Sequence, residues 1–432
     1  MQASRFNILT RFRDDTRFLL VNLLSGQADI ISRDEKELLK KGGTGIPEEF
    51  IQKGYWADPG AEAITYRLKY IDFLEQRDRE EVQVLFVPTY QCNFDCFYCY
   101  QSGYPNAPDG LSPKITASFF DFIRQHLKGR KTYVTLFGGE PLLAGKKYRA
   151  ALEQFIEQCG EEEIDLAVVT NGYHLDLYLE SLKRVRVREI QFTLDGTREI
   201  HDRRRPLKGG GPSFDKISAN LDACLENGIP VNLRVVVDGD NIGGLPALAA
   251  YAREKGWSSH PLFKTQLGRN YELHQCQEGN DKLFTRIGLY QAIHDLIKKH
   301  PDFLEFHRPA FSVTRFLSEN NHLPQPLFDA CPACKTEWAL DYRGFVYPCT
   351  ATVGKPEEEL GTFHPSISLR DTAIKTWQER DVLHINACTA CSLQLACGGG
   401  CGSLAKNLNG QLLSPDCKPV KELLELGSAI YF

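Results

Sequence analysis

This sequence has no strong excess of charge, no long apolar run and no export signal, and each absence closes a class of function. With 51 basic and 56 acidic residues the net charge is only -5 at pH 7, too even a balance for a general electrostatic grip on nucleic acid or an anionic membrane. No run of residues is long and apolar enough to span a bilayer. The first residues, Met1-Gln-Ala-Ser-Arg-Phe-Asn7, lack the basic patch, apolar run and small-residue cleavage site of a signal peptide. The expectation is a soluble, cytoplasmic protein with neither a nucleic-acid nor a membrane partner. Its 432 residues suffice for two or three domains with well-formed cores.

Cysteine, by contrast, is plentiful. Fourteen cysteines without a secretion signal point to metal rather than disulfides, because cytosolic thiols are kept reduced. Cys92, Cys96 and Cys99 form C-x3-C-x2-C directly after an apolar strand, Val82–Val87. A cubane iron-sulfur cluster wants four ligands, so three in one loop leave one iron open to a reactant. A zinc knuckle fits less well, since zinc takes four protein ligands from paired motifs. Eight more cysteines follow residue 330: Cys331, Cys334, Cys349, Cys388, Cys391, Cys397, Cys401 and Cys417. Eight thiolates are enough for two fully ligated cubanes. A zinc ribbon built on Cys331-x2-Cys334 and Cys388-x2-Cys391 would leave four of them without a role. Cys159, Cys224 and Cys276 lie apart and read as small core residues or idle thiols, with Cys276 in the loop after the sixth strand a candidate substrate contact.

Between Glu81 and Ile297 short β-rich runs alternate with helical patterns, the signature of βα units around a parallel sheet. The predicted strands are Val82–Val87, Thr132–Phe137, Asp165–Thr170, Glu189–Leu194, Val231–Val237 and His260–Lys264. Six units make a barrel short of the full eight. Chemistry in such barrels sits at the carboxyl ends of the strands. There the sequence places the cysteine loop, Gly138-Gly139-Glu140-Pro141, Thr170-Asn171-Gly172 and Thr193-Leu194-Asp195-Gly196. Two adjacent glycines let the backbone approach a ligand closely. Arg234 interrupts the fifth strand, and a charge there needs a partner; an anionic ligand and a structural ion pair with Asp195 are both open.

The cysteine loop with Tyr98 before its last cysteine, followed one βα unit later by Gly-Gly-Glu-Pro, resembles the radical S-adenosylmethionine (SAM) superfamily. The resemblance implies a partial (β/α)6 TIM-like barrel of α/β class, with SAM on the open iron. It assigns SAM contacts to Tyr98, Gly138, Gly139, Glu140, Thr170, Asn171, Asp195 and Arg234. Thr170 is the hydroxyl expected at the ribose, and Arg234 the candidate for the carboxylate. The later cysteines resemble the SPASM domain of such enzymes. By the ligand pattern usual there, Cys331, Cys334, Cys349 and Cys401 hold a nearer auxiliary cluster and Cys388, Cys391, Cys397 and Cys417 a farther one, making three [4Fe-4S] clusters in all.

Residues 1–80 read as a small α+β domain: strand patterns at Arg5–Arg11, Phe18–Leu23 and Ala28–Ile31, a helix start at Ser32-Arg-Asp-Glu35 and a short helix at Pro47–Lys53. They resemble the winged-helix-like peptide recognition element of radical SAM peptide maturases, which adds a leader peptide as a strand to a sheet edge; the competing reading is an appendage that caps the barrel. The expected domains are therefore 1–80, 81–300 (radical SAM barrel) and 301–432 (bridging region and SPASM). The function implied is modification of a ribosomally made precursor peptide, closing a thioether, C-C or C-O crosslink, with flavodoxin or ferredoxin as electron donor. An anaerobic sulfatase maturase, a peptide epimerase or a backbone-excising enzyme are the alternatives. The sulfatase maturases carry an Asp directly after the second auxiliary cysteine, where this chain has Thr350. No residue of the sequence identifies the catalytic base.

Overall fold

The computed structural model describes residues 1–42, 45–101, 103–104, 110–269 and 282–432; Cys276 lies outside them. At the N-terminus β1 (Asn7–Phe12), β2 (Asp14–Asn22) and β3 (Gln27–Ser32) form an antiparallel sheet in that order. Alternate residues of β2 face opposite ways. Phe18 and Leu20 join Ile31, Leu39, Phe50 and Tyr55 in a local core. Leu19 and Val21 instead pack with Phe328, Val382, Ile385 and Leu424 of the C-terminal region. The helix Arg33–Lys41 starts as its sequence predicts, with a capping box in which Ser32 and Glu35 satisfy each other's backbone N–H.

A longer helix, Pro59–Arg79, was not evident in the sequence. Its periodicity is weak because Ile64, Leu68 and Ile71 are more than half exposed while Tyr66 is buried. Asp58 caps it by accepting from Ala61 N at 2.9 Å. Tyr66 Oη donates to Gln394 and Tyr70 Oη to Asp381, each at 2.6 Å. The N-terminal region thus seats on the C-terminal cysteine region rather than on the end of the barrel.

The six central strands are β4 (Val82–Val87), β5 (Thr132–Leu136), β6 (Asp165–Val169), β7 (Val187–Thr193), β8 (Val231–Val237) and β9 (Phe263–Arg269). All pair in parallel with their sequence neighbours, and helices cross between them as parallel pairing requires. Phe86 of β4 stacks on Phe155 and meets Phe119 at centroid distances of 4.8 and 4.7 Å, tying the sheet to its covering helices. Strand β9 starts three residues later than the His260–Lys264 expectation. Phe263 N donates to His260 O and Leu262 N to the His260 ring, so His260-Pro-Leu is a turn that Pro261 cannot extend as strand.

The same sheet continues beyond β4. β10 (Glu337–Asp341) pairs with β4 in parallel, and β11 (Phe345–Tyr347), β12 (Gly361–Thr362) and β13 (Ser368–Leu369) follow antiparallel, giving ten strands. The cysteine-rich C-terminal region is therefore welded to the barrel's first strand. No described helix is long and apolar enough to cross a membrane.

Candidate cluster and cofactor site

Residues 89–91, leading from β4 into the cysteine loop, run beside the Gly-Gly-Glu-Pro segment after β5. Gly139 N donates to Thr89 O at 3.2 Å and Glu140 N to Gln91 O at 2.8 Å. A Cβ on Gly139 would stand 2.3 Å from Gln91 O and 2.4 Å from Tyr90 O, and one on Gly138 (φ +135°) 2.6 Å from Thr89 O. The glycines are thus required by backbone packed against backbone, immediately before Cys92, and not only by a ligand as the sequence suggested.

Glu140 is buried and fully engaged. It accepts from Leu142 N at 2.8 Å, Thr170 Oγ1 at 2.5 Å and Asn171 N at 2.6 Å. Burial raises its pKa, and those three hydrogen bonds oppose the rise. Glu140 and Thr170 therefore hold the ends of β5 and β6 together, and the Thr170 hydroxyl expected at the ribose is turned into the protein, where its oxygen also accepts from Gly172 N. Asn171 is better placed: its Nδ2 donates to Asn93 Oδ1 at 2.8 Å and lies 3.9 Å from Cys92 Sγ. The Cys92 thiol is pushed up to about 12 by burial first, then by the Glu140 carboxylate, with Cys96 and Cys99 adding to it.

Asp195, fully buried, departs further from expectation. It accepts from Tyr98 Oη at 2.5 Å and Val236 N at 3.1 Å and pairs with Arg204 at 3.3 Å. Arg204 in turn forks onto Asp238 at 2.8 and 2.9 Å, and Arg205 donates to Tyr98 Oη at 2.6 Å. Asp195 and Tyr98 are thus tied into a buried network that locks the cysteine loop to the ends of β7 and β8, and Asp195 does not pair with Arg234. The sequence hid Arg204 and Arg205 in a run, Arg203–Arg205, that reads as the solvated end of the helix Arg198–Arg204.

Arg234 remains. Half-buried on β8, it lies against Gly268 of β9 and close enough to Tyr100 to oppose the upward shift that burial, Tyr104 and Cys99 impose on that phenol. Its side chain makes no hydrogen bond or ion pair with another described residue. A cation kept without a carboxylate beside the cysteine loop is suited to an anionic ligand group.

The C-terminal thiols feel one another across long stretches of sequence. Burial raises Cys349 most, followed by Glu337, Cys331 and, lower down, Cys401, while Cys334 feels burial and then Cys331. Cys388 is pushed up to about 11 by burial, then by Cys397, Cys391 and Cys417. Gly398, Gly399 and Gly400 all have φ between 61° and 75°, a left-handed stretch that carries the chain from Cys397 of one set to Cys401 of the other. Among the described residues no three His, Cys, Asp or Glu groups converge closely enough to hold a single metal ion. All-thiol sets of three, four and four are the donor chemistry of iron-sulfur cores, which themselves fill the space between their ligands. Cys159 and Cys224 are fully buried in helices as core residues.

At the position after Cys349, Thr350 donates through N and Oγ1 to the half-buried Glu337 carboxylate at 2.7 and 2.6 Å. Nothing local in the sequence points to this pairing, since Glu337 lies thirteen residues away. A cavity of about 700 Å³ opens between the end of β9 and the cysteine-rich region, lined by Leu267, Arg269, Arg286, Leu327, Cys401 and Leu404 among others.

Residues 86–252 match the model of the Radical SAM superfamily. The matched segment, from the end of β4 past β8, is a radical SAM domain. It is 30% identical over 175 residues to a GTP 3',8-cyclase of Nautilia profundicola, an alignment covering 39% of this chain and 51% of the cyclase, so the chain spans about half that relative's length. Its fold is that of anSMEcpe, an anaerobic sulfatase maturase solved with AdoMet and the Cp18Cys peptide (TM-score 0.61, 18% identity, 80% of this chain and 97% of that one). It is also that of Streptococcus suis SuiB bound to the precursor peptide SuiA (TM-score 0.53, 14% identity, 95% and 97%).

Proposed function

We propose that this radical SAM enzyme modifies a ribosomally made precursor peptide, closing a thioether, C-C or C-O crosslink. The observation that carries the reading is the pair of four-cysteine sets welded to the barrel through β10. The similarity to the GTP cyclase is confined to about two fifths of this chain. The two peptide-bound neighbours, by contrast, share the fold across 80% and 95% of it.

When bound, SAM and a cluster on Cys92, Cys96 and Cys99 supply a deoxyadenosyl radical able to take hydrogen from an unactivated C-H bond. The chain's own residues position and shield that chemistry. The Tyr98–Asp195–Arg204 network fixes the cysteine loop, Asn171 orients toward Cys92, and Arg234 meets the SAM carboxylate. Cys331, Cys334, Cys349 and Cys401, and Cys388, Cys391, Cys397 and Cys417, hold two further clusters. The cavity bordered by Cys401 receives the peptide's reacting segment. Among the described residues strand β3 is hydrogen-bonded on one side only, to β2. Its free edge is where a leader would add as a strand.

The experiment is anaerobic co-expression of the full chain with the short reading frame beside its gene, followed by mass spectrometry of the peptide. Loss of two hydrogens per crosslink supports the reading, and its fall on Ile30→Lys, at a half-exposed position of β3, supports leader capture. Unmodified peptide together with turnover of a nucleotide would overturn it.

A further inference from the structure

Arg380 is fully buried, and all its described partners are backbone carbonyls. Nε donates to Leu412 O at 2.9 Å, Nη1 to Gly400 O at 2.9 Å, and Nη2 to Gly399 O at 2.8 Å and Ser414 O at 2.9 Å. No carboxylate among the described residues pairs with it, and those closest in the fold are committed elsewhere. Asp329 holds Lys335 at 2.5 Å, Asp416 holds Arg286 at 2.8 Å, and Asp381 receives Tyr70 at 2.6 Å and His384 at 2.8 Å. A buried guanidinium is costly to the fold unless an opposite charge faces it, and carbonyl dipoles replace only part of its hydration.

The placement of this cation supplies the missing charge. Gly399 and Gly400, whose carbonyls grip the guanidinium, are two of the three residues between Cys397 and Cys401, one ligand from each four-cysteine set. Arg380 also acts against the burial that pushes up the Cys388 thiol. A four-iron cluster with four thiolates is net negative, and more so by one charge after reduction, so a fixed cation beside it favours the reduced form.

We propose that Arg380 is the shared counter-cation of the two auxiliary cysteine sets and raises the reduction potentials of the clusters they hold. The inference rests on the auxiliary-cluster reading above. It assigns the residue an electrostatic role, acting on the clusters from beyond their ligands.

The test uses the full chain carrying Cys92→Ala, Cys96→Ala and Cys99→Ala, so that only the auxiliary clusters give a signal, with and without Arg380→Gln. Iron is counted and the clusters are titrated by redox-poised electron paramagnetic resonance. With Arg380→Gln about eight irons stay bound. At a fixed poise the reduced-to-oxidised ratio falls at least about tenfold, a potential lowered by about 59 mV for a one-electron couple. Full iron with both ratios unchanged would overturn the proposal. Should Arg380→Gln fail to hold its clusters, Arg380→Lys decides: it keeps the charge and loses the fork. Potentials within about threefold of the parent ratio support the electrostatic role, and a tenfold fall in that variant overturns it. Absence of iron from the Arg380 parent would instead bring down the auxiliary-cluster reading itself.

Discussion

Glu140 N donates to Gln91 O at 2.8 Å, one residue before the first cluster cysteine, so the segment expected to cradle SAM also holds the cysteine loop in place. The two sites share one stretch of paired backbone, and a change to either reaches the other.

Gly139→Ala tests that sharing. Its Cβ would fall 2.3 Å from a backbone carbonyl, which no side-chain rotation relieves, and the cysteine loop must move. The expected outcome is loss of about four irons together with SAM binding, against a wild-type content of about twelve. Iron analysis beside equilibrium binding of SAM checks it; full iron with lost SAM binding would mean that the glycine serves the ligand alone.

Arg234→Gln should separate the two functions. The side chain makes no hydrogen bond or ion pair with another described residue, so the cluster and fold should persist. A charge-assisted contact to a carboxylate is worth about 1.5–3 kcal/mol, and the Kd for SAM should rise roughly ten- to hundredfold. Unchanged affinity would assign Arg234 another role.

His201 gives the fold an acid-sensitive point. Burial first, and then Arg205, depress its pKa to about 3, with Asp195 N and Ser213 Oγ at its two ring nitrogens. The unfolded chain binds a proton below its ordinary value near 6.5 while the folded chain does not. The neutral ring's contribution is therefore complete above pH 6.5 and is lost as pH falls toward 3. Between pH 7 and 5 that loss amounts to about 2 kcal/mol. The melting temperature should drop over this interval, and His201→Gln should flatten the dependence; an equally steep curve in the variant would place the sensitive group elsewhere.

Strong local signals in the sequence were read correctly. Val82–Val87 and Val231–Val237 appear with the predicted bounds because both are largely apolar and mostly buried, with only Gln83, Asn232 and Arg234 polar. Thiols far apart in sequence stand near one another, Cys349 feeling Cys331 and Cys401, and Cys388 feeling Cys397, Cys391 and Cys417. What stayed hidden depends on contacts distant in sequence. Glu337–Asp341 is a strand because Val82–Val87, far earlier in the sequence, pairs with it in parallel. Arg204 and Arg380 carry no signal in the sequence because their partners, Asp238 and the carbonyls of Gly399, Gly400, Leu412 and Ser414, gather only in the folded chain. Thr170 and Asp195, assigned to SAM by the resemblance, also hold Glu140 and Tyr98 in place, contacts that no motif announces.

The central claim is that the eleven clustered cysteines hold three iron-sulfur clusters around one radical site. Metal analysis of protein purified and reconstituted without oxygen tests it most directly. The account predicts about twelve irons per chain, falling to about eight when Cys92, Cys96 and Cys99 are all replaced by Ala. Stoichiometric zinc at the C-terminal cysteines, with only about four irons in the wild type, would contradict it.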